Sequence, residues 1–249
     1  MIGTGNVANV LCRLLAEHQH QVVQVIGRDI ERGAMLAEIT GAKVSQLGEP
    51  ILPEAELCII AVADSALEVV LPLVPAFTCP VAHTAGSQSI NILRHYAQEY
   101  GILYPLQTLR KEMVELPPIP FLIDGNNVKT IKLLCSLAKT ISDNVELADD
   151  EKRGRLHVAA VVTCNFTNHL YNLAEQYCIK EQLNFDLLRP LILQTAQRVM
   201  HHSPANVQTG PAVRKDMITI EKHLDWLQQH PELKEIYLRL SNSIMDHHL

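Results

Sequence analysis

Short apolar segments alternate with amphipathic segments over the first 148 residues of the chain. Apolar residues three and four positions apart predict helices over 6–18 and 30–40, the second ending at Gly41. The continuous apolar run over 57–62 is typical of a parallel strand that is buried on both faces. Further strands are expected over 22–26, 80–83, 102–104, 121–124 and 145–147, and further helices over 66–74, 90–99 and 127–140. This alternation predicts βαβ units and a parallel sheet.

Strand patterns end near residue 148. Asp149, Asp150 and Glu151 favour a helix start, because acidic side chains stabilise the amino-terminal end of a helix. A long helix to about residue 181 is expected there, followed by helices over 186–201, 216–229 and 231–246. We therefore expect two domains, an α/β domain over 1–148 and an all-α domain over 149–249.

A glycine-rich turn, Ile-Gly-Thr-Gly-Asn-Val-Ala, occupies residues 2–8. Gly3 and Gly5 would let the backbone turn sharply and approach a pyrophosphate, and Ala8 is small enough for close packing of the next helix on its strand. The free N–H groups of that helix would bind the diphosphate. The turn normally follows a buried strand, of which only Met1 and Ile2 are present. The first strand of this Rossmann-type domain is therefore either truncated or unusually short, and its loss would expose the edges of the neighbouring strands and prevent cofactor binding.

The residue that closes the next strand indicates which dinucleotide binds. Arg28 lies 20 residues after Ala8, where an arginine accommodates the 2′-phosphate of NADP, so we favour NADP. The alternative is that Arg28 is a solvated charge and that Asp29 binds the ribose of NAD. Small residues after two later strands would leave room for the cofactor. The expected cofactor contacts are Gly3, Thr4, Gly5, Asn6, Val7, Ala8, Arg28, Ala61, Val62, Ala63, Thr84, Ala85 and Gly86.

Polar residues near the same sheet edge, and on the long helix, are the candidates for substrate chemistry. Tyr104 and Gln107 follow a strand and would face the crevice, unless the segment is an ordinary proline turn. We interpret His83 as a hydrogen-bonded core residue rather than a proton carrier. At 100° per residue, one arc of the long helix would carry His157, Asn165, Asn168, His169 and Asn172. Neutral polar groups of this kind suit a substrate cavity, and a polar helix–helix contact is the alternative.

Arg214 is the candidate anion-binding residue, since a guanidinium can bind a carboxylate through two hydrogen bonds. A surface pair of Arg214 with Asp216 or with a glutamate explains the same sequence equally well.

Composition and charge narrow the class of protein. A net charge of −6 argues against a nucleic-acid partner, and no apolar run approaches the roughly 18 to 20 residues that cross a bilayer. The amino-terminal residues lack the pattern of a signal peptide. The six cysteines occur singly, which indicates reduced thiols and a cytoplasmic protein. The 12 histidines show no metal-ligand spacing, so we expect no metal site.

Several segments together resemble a family of Rossmann-like NADP oxidoreductases whose carboxy-terminal helical domain has no assigned function. The resemblance spans nearly the whole chain and rests on residues 2–8, 83–87, 104–108, 156–160, 165–169 and 208–214. The architecture is similar to that of pyrroline-5-carboxylate reductase, 3-hydroxyisobutyrate dehydrogenase and ketopantoate reductase. It implies a homodimer formed through the helical domain. The catalytic lysine of the hydroxyacid dehydrogenases has no counterpart, because the chain has no lysine between Lys152 and Lys180.

We therefore predict an NADP-dependent oxidoreductase acting on a small polar substrate that carries a carboxylate. Asn165 and Asn168 would orient the substrate, and His157 or His169 would relay a proton, since imidazole titrates near working pH. Tyr104, Gln107 and Arg214 complete the expected substrate site. The alternative is a non-catalytic protein that binds the dinucleotide or a metabolite as a sensor.

Overall fold

The computed structural model describes residues 1–247, so the last two residues of the expected helical domain lie outside the described residues. The chain forms two compact units, which meet in sequence between Cys164 and Asn165. The boundary expected near residue 148 stays a prediction. The first helix after that residue, Asp150–Ala160, lies in the first compact unit. None of the helices within residues 1–247 is long and apolar enough to cross a membrane.

Seven strands build the sheet of the first unit, and all but one pair are parallel. The strands are β1 (Gln24–Gly27), β2 (Lys43–Gln46), β3 (Cys58–Ile60), β4 (Val81–His83), β5 (Tyr100–Pro105), β6 (Phe121–Gly125) and β7 (Val145–Leu147). β1 pairs with β2, and β3 to β7 follow one another in sequence order. The antiparallel pair is β5 with β6, in which Leu103 lies opposite Ile123. The fold class predicted from the sequence is confirmed.

Ile2 joins the two groups of strands into one sheet. It forms parallel bridges with Ile26 of β1 and with Ile60 of β3. Its N–H donates to the Ile59 carbonyl at 2.8 Å, and the Gly3 N–H donates to the Ile26 carbonyl at 2.8 Å. Ile2 is 1% exposed. Residues 1–3 thus serve as an unusually short first strand, hydrogen-bonded on both sides, and the edges of β1 and β3 are paired at this position.

Helices pack on both faces of this sheet. The first unit contains α1 (Asn6–Glu17), α2 (Ile30–Thr40), α3 (Leu67–Val70), α4 (Val128–Ile141) and α5 (Asp150–Ala160). Side chains of β3 alternate between two apolar cores: Ile59 belongs to one core, whereas Cys58 and Ile60 belong to the other. Because Ile2 pairs in parallel with both β1 and β3, and β3 in parallel with β4, the carboxyl ends of these strands lie at one edge of the sheet, next to the start of α1.

One helix expected in the first unit does not form. The helix predicted over 90–99 is a 3-10 turn over Ile90–Leu93, after which the N–H groups of Tyr96 and Ala97 both donate to the Leu93 carbonyl. The shared acceptor closes the turn and directs the chain into β5. Strand β2 was not predicted, because its alternation of Lys43, Val44, Ser45 and Gln46 carries too few apolar residues.

The second unit is helical. It contains α6 (Thr167–Lys180), α7 (Arg189–Val199), α8 (Pro204–Val207), α9 (Met217–Trp226) and α10 (Pro231–His247). The residues Val161–Phe166, between α5 and α6, form a π-helix. Because a π-helix has more residues in each turn than an α-helix, the uniform 100° spacing assumed for the long helix does not hold across this segment.

Candidate active site

The glycine turn places an open space at the start of α1. Gly3 has a φ of +115°, and a Cβ there would lie 2.2 Å from the Ala61 carbonyl oxygen, so only glycine fits between α1 and the end of β3. At Gly5 a Cβ would meet nothing within 4 Å. Gly5 is also the amino-terminal cap of α1, and no side chain caps the free N–H groups. This open helix terminus has the chemistry that binds a diphosphate, so the residues fit a dinucleotide.

The other residues of the turn have structural as well as potential binding roles. Ala8 is fully buried against the core, as expected for the small third position of the turn. Val7 packs at the edge of the same core. Thr4 lies against β1, where its Cγ2 would be 2.7 Å from a Cβ at Gly27. Asn6 is exposed at the first position of α1, with its side-chain oxygen accepting from the Lys111 N–H at 3.3 Å.

Two arginines lie after β1. Arg28 is exposed, and Asp29 caps α2 by accepting from the Arg32 N–H at 3.1 Å. The Arg32 guanidinium also lies 3.2 Å from the Asp29 carboxylate. The Asp29 carboxylate thus serves as helix cap and ion-pair partner, and the choice between a phosphate site at Arg28 and a ribose site at Asp29 stays a prediction. The sequence analysis did not single out Arg32, because the Asp29 cap is bonded to its backbone N–H, which any residue at that position would supply.

The loops after β3 and β4 are joined to each other. Asp64 accepts from the Ser87 N–H at 3.1 Å and from the Ser87 hydroxyl at 2.5 Å. Thr84 is buried, and its N–H donates to the Ile60 carbonyl at 3.1 Å. Ala61 and Ala85 are buried, Val62 is half-buried and Ala63 is exposed. The small residues predicted to leave room for a cofactor thus lie along one rigidly bonded edge.

Tyr104 and His157 form a hydrogen-bonded pair beside Gly86. The Tyr104 hydroxyl lies 2.8 Å from the His157 Nδ1, and a Cβ at Gly86 would approach these two side chains to 2.8 and 2.9 Å. Both rings are half-buried. Burial, and then the charge of Asp64, raise the pKa of the Tyr104 hydroxyl. This hydroxyl is therefore protonated near neutral pH and can donate a proton or a hydrogen bond.

A buried arginine of α5 hydrogen-bonds to the loop that follows β4. Arg153 of α5 is 1% exposed, and it donates to the Gly86 carbonyl at 3.3 Å, the Gln88 carbonyl at 2.5 Å and the Asp150 carboxylate at 2.6 Å. Although burial opposes it, hydrogen bonds from Ser89, Arg153 and Ile90 hold the pKa of Asp150 below its ordinary value. No pattern in the sequence distinguishes Arg153 from its exposed neighbour Arg155.

His83 is a core residue, fully buried at the end of β4. Its Nδ1 accepts from the Ala85 N–H at 3.2 Å. Burial, and then the charge of Arg153, lower the pKa of His83 to about 4. Within residues 1–247, the only buried side-chain nitrogen or oxygen atoms without a hydrogen-bond partner are His83 Nε2 and Arg153 Nη1. The nearby Ser89 carbonyl favours protonation of the ring without reaching hydrogen-bond geometry.

The remaining candidates of the first unit have local partners. Gln107 is exposed, and its side-chain amide donates to the Pro118 carbonyl at 3.3 Å and accepts from the Thr108 N–H at 2.9 Å. Both contacts lie within its own loop, so Gln107 shapes the segment after β5. Across residues 1–247, no group of three histidine, cysteine, aspartate or glutamate side chains is arranged to hold a metal ion.

The candidates of the second unit are exposed. Asn165 and Asn168 both face solvent, and His169 lies 3.8 Å from the Glu232 carboxylate. Arg214 is exposed as well, and among residues 1–247 it forms no ion pair within 4.0 Å. Asp216 instead caps α9, accepting from the Thr219 N–H at 3.1 Å and hydroxyl at 2.7 Å. Their roles as substrate ligands stay predictions.

Comparison with known proteins places the chain in a family. The model described as "Domain of unknown function (DUF2520)" matches residues 119–244, and the model "NADP oxidoreductase coenzyme F420-dependent" matches residues 1–77. A search of curated proteins finds no match. Among solved structures, the "putative NADP oxidoreductase" of Bacteroides fragilis is 37% identical, with a TM-score of 0.88 over 98% of this chain and 96% of that one.

Two reductases share the fold at low identity. The reductive aminase from Aspergillus terreus, solved with NADPH, is 15% identical, with a TM-score of 0.73 over 98% of this chain and 90% of that one. The 1-pyrroline-5-carboxylate reductase from Streptococcus pyogenes is 14% identical, with a TM-score of 0.63 over 98% of this chain and 96% of that one. The predicted resemblance is confirmed: the chain belongs to the DUF2520 family, in which a helical domain follows a Rossmann-type domain of the NADP-dependent oxidoreductases.

Proposed function

We propose that this chain binds NADP(H) at the carboxyl ends of β1, β3 and β4 and reduces a C=O or C=N group of a small polar substrate. The observation that carries the proposal is the hydrogen bond of 2.8 Å between the Tyr104 hydroxyl and the His157 ring. The pair lies beside Gly86, in the loop that follows β4. Ligands of open parallel sheets bind beyond these strand ends.

The reduction requires a hydride at carbon and a proton at oxygen or nitrogen. NADPH supplies the hydride when bound. The Tyr104 hydroxyl supplies the proton to the substrate oxygen or nitrogen, because burial and Asp64 raise its pKa and keep it protonated. A His157 ring that is protonated at both nitrogens then returns its Nδ1 proton to the tyrosinate oxygen across the existing hydrogen bond. The ring is left as neutral imidazole and, being only half-buried, takes up a proton from solvent. The chain in this way completes the reaction without the lysine of the hydroxyacid dehydrogenases.

Specificity for NADP is assigned to the arginines after β1. Arg28 and Arg32 are exposed where a 2′-phosphate would lie, and guanidinium groups bind phosphate through paired hydrogen bonds. In the second unit, Asn165, Asn168 and His169 are assigned to substrate orientation. Arg214 is assigned to a substrate carboxylate, which is consistent with its lack of an ion pair within the described chain.

A matched pair of tyrosine variants tests the proton-donor role. Tyr104→Phe removes the hydroxyl at the carboxyl end of β5, whereas Tyr100→Phe removes one at the start of the same strand. We expect Tyr104→Phe to lower NADPH-dependent turnover about 100-fold or more, within the range for general acids, and to leave NADPH affinity unchanged. Tyr100→Phe should behave as the unmodified protein does. A panel of cyclic imines and 2-oxo acids provides the substrates.

Two results would contradict the proposal. Normal turnover by Tyr104→Phe and His157→Gln would remove the pair from the reaction. Tight NADPH binding without turnover on any member of the panel would instead favour a sensor. Loss of turnover in Asn165→Ala with intact NADPH binding would support the substrate role of the second unit.

We further propose a cytoplasmic homodimer formed through the helical unit. The second unit buries few hydrophobic residues, namely Leu173, Cys178, Ala212, Ile220 and Leu227. Several large apolar side chains are exposed instead, including Leu187 at 76%, Met200 at 78% and Ile218 at 82%. Exposed apolar area on this scale is typical of an interface between subunits. The six free cysteines suit a reducing compartment.

A further inference from the structure

The segment after β5 is attached to the start of α1. The Lys111 N–H donates to the Asn6 side-chain oxygen at 3.3 Å. Further along the same segment, the Met113 and Val114 carbonyls accept from the Arg13 guanidinium of α1, at 2.5 Å and 2.9 Å. These three contacts join residues more than 90 positions apart in the sequence, so they fix the position of the segment.

The two attachment points lie on one face of α1. Asn6 and Arg13 are seven residues apart, which is close to two turns of a helix and about 10 Å along its axis. The segment 111–114 therefore follows α1 from its amino-terminal end. Lys111 lies at that end, because its N–H is bonded to Asn6, the first residue of α1 and the neighbour of Gly5. A lysine stem of four carbons reaches from there to a group bound at the free N–H groups.

Of the two neighbouring cations Arg110 and Lys111, only Arg110 has an ion-pair partner within residues 1–247. Arg110 pairs with Glu112 at 3.5 Å, whereas Lys111 is exposed and has no ion-pair partner among residues 1–247. A lysine beside the amino-terminal end of a helix is unfavourable by itself, because both carry positive charge. A bound anion with more than one negative charge removes this repulsion and turns both groups into ligands.

We propose that Lys111 is a ligand of the dinucleotide's diphosphate, held in place by Asn6 and Arg13. This inference rests on the proposed function, since it assumes that NADP(H) binds at the glycine turn. It adds a cationic side chain from the segment after β5 to a site otherwise built from backbone N–H groups. Arg13 acts as a positioning residue, because it contacts the segment and not the cofactor.

Binding measurements on Lys111→Met test the assignment directly. The control is Lys43→Met, which removes the same charge at the start of β2, at the opposite edge of the sheet. Titration of each purified protein with NADPH and with NADH, followed by nucleotide fluorescence, gives the dissociation constants. We expect Lys111→Met to weaken both nucleotides about fivefold, the effect of one partly exposed charge-assisted hydrogen bond. The loss should shrink as salt is raised, and Lys43→Met should change neither constant.

The outcomes separate this inference from the proposed function. Unchanged affinity of Lys111→Met for both nucleotides would overturn the inference alone. Weaker binding of NADPH with unchanged NADH would overturn it too, because Lys111 would then contact the 2′-phosphate. Absence of binding by the unmodified protein would overturn the proposed function and the inference together.

A double-mutant cycle tests the positioning role of Arg13. Arg13→Ala releases the carbonyls of Met113 and Val114, so Lys111→Met should weaken NADPH less in that background than in the unmodified protein. Additive effects would overturn the claim that Arg13 acts through Lys111. Far-UV circular dichroism of each variant confirms that the comparison is between folded proteins.

Discussion

Replacing Arg153 by methionine should destabilise the first unit strongly. Methionine keeps a long unbranched side chain but removes every donor. The change therefore leaves the carbonyls of Gly86 and Gln88 without their hydrogen bonds and Asp150 without its cation. Arg153 is 1% exposed, so water does not replace these contacts unless the loop opens.

The magnitude follows from the two kinds of lost contact. Breaking a buried ion pair from one side costs about 3–5 kcal/mol. The Asp150 side chain is 39% exposed and keeps a hydrogen bond from the Ile90 N–H at 3.2 Å, so its share is smaller. The two carbonyls add about 1–2 kcal/mol each, and the relief of a buried charge offsets part of the sum. We expect a net loss of about 3 kcal/mol in the free energy of unfolding.

Urea denaturation measures this loss against a matched control. Arg155→Met removes an arginine two residues away whose side chain is 79% exposed and pairs with Glu151, and it should cost less than about 0.5 kcal/mol. Trp226, the single tryptophan, lies in the second unit, so its fluorescence reports that unit while far-UV circular dichroism reports both. A loss below about 1 kcal/mol for Arg153→Met would refute the reasoning.

Three further predictions concern separate regions. Gly3→Ala should abolish stable folding or lower the melting temperature by more than about 10 °C, because its Cβ would lie 2.2 Å from the Ala61 carbonyl oxygen. In the control Gly154→Ala, the added Cβ meets nothing within 4 Å, and thermal denaturation should show a stabilisation of about 0.5–1 kcal/mol. The pKa of His83 is lowered to about 4 in the folded protein, so at pH values between about 4 and 6.5 this histidine is protonated in the unfolded chain but not in the folded one. The free energy of unfolding should therefore fall as pH falls through this range, by up to about 3 kcal/mol. Denaturation of His83→Asn across this pH range should lack that slope, and an equal slope in both proteins would contradict the assignment. Leu187→Glu should convert the proposed dimer into a monomer in light scattering, whereas Val69→Glu, at an exposed position of α3, should not. A monomeric unmodified protein would rule out the proposed dimer.

The sequence predicts those parts of the fold whose signals are local. The helix over 30–40 ends at Gly41 because its C-cap adopts a φ of +71°, which glycine accepts freely. The apolar run around Cys58–Ile60 is buried on both faces, as its composition indicates. Strand β2 has no such signal, because its backbone is ordered by pairing with β1 rather than by its side chains.

The candidate site is less predictable, because its decisive contacts are between distant segments. Tyr104 and His157 are 53 positions apart, and no periodicity relates them. Arg153 and Arg155 lie on one helix with similar sequence surroundings, yet one is 1% exposed and the other 79%. The π-helix over Val161–Phe166 changes the residue spacing without any change in apolar content. Periodicity describes one element at a time, whereas burial depends on what packs against it.

The loop over residues 84–89 links the stability of the first unit to its chemistry. Asp64 holds it from the end of β3 through Ser87, and Arg153 holds it from α5 through Gly86 and Gln88. The Tyr104–His157 pair packs directly on Gly86, where a Cβ would approach within 2.9 Å. Because the same backbone contacts the Tyr104–His157 pair, for which we propose proton donation, and accepts the hydrogen bonds of Arg153, a change that loosens the loop should also displace the pair. Substitutions at Arg153 should therefore lower turnover even under conditions in which the protein stays folded.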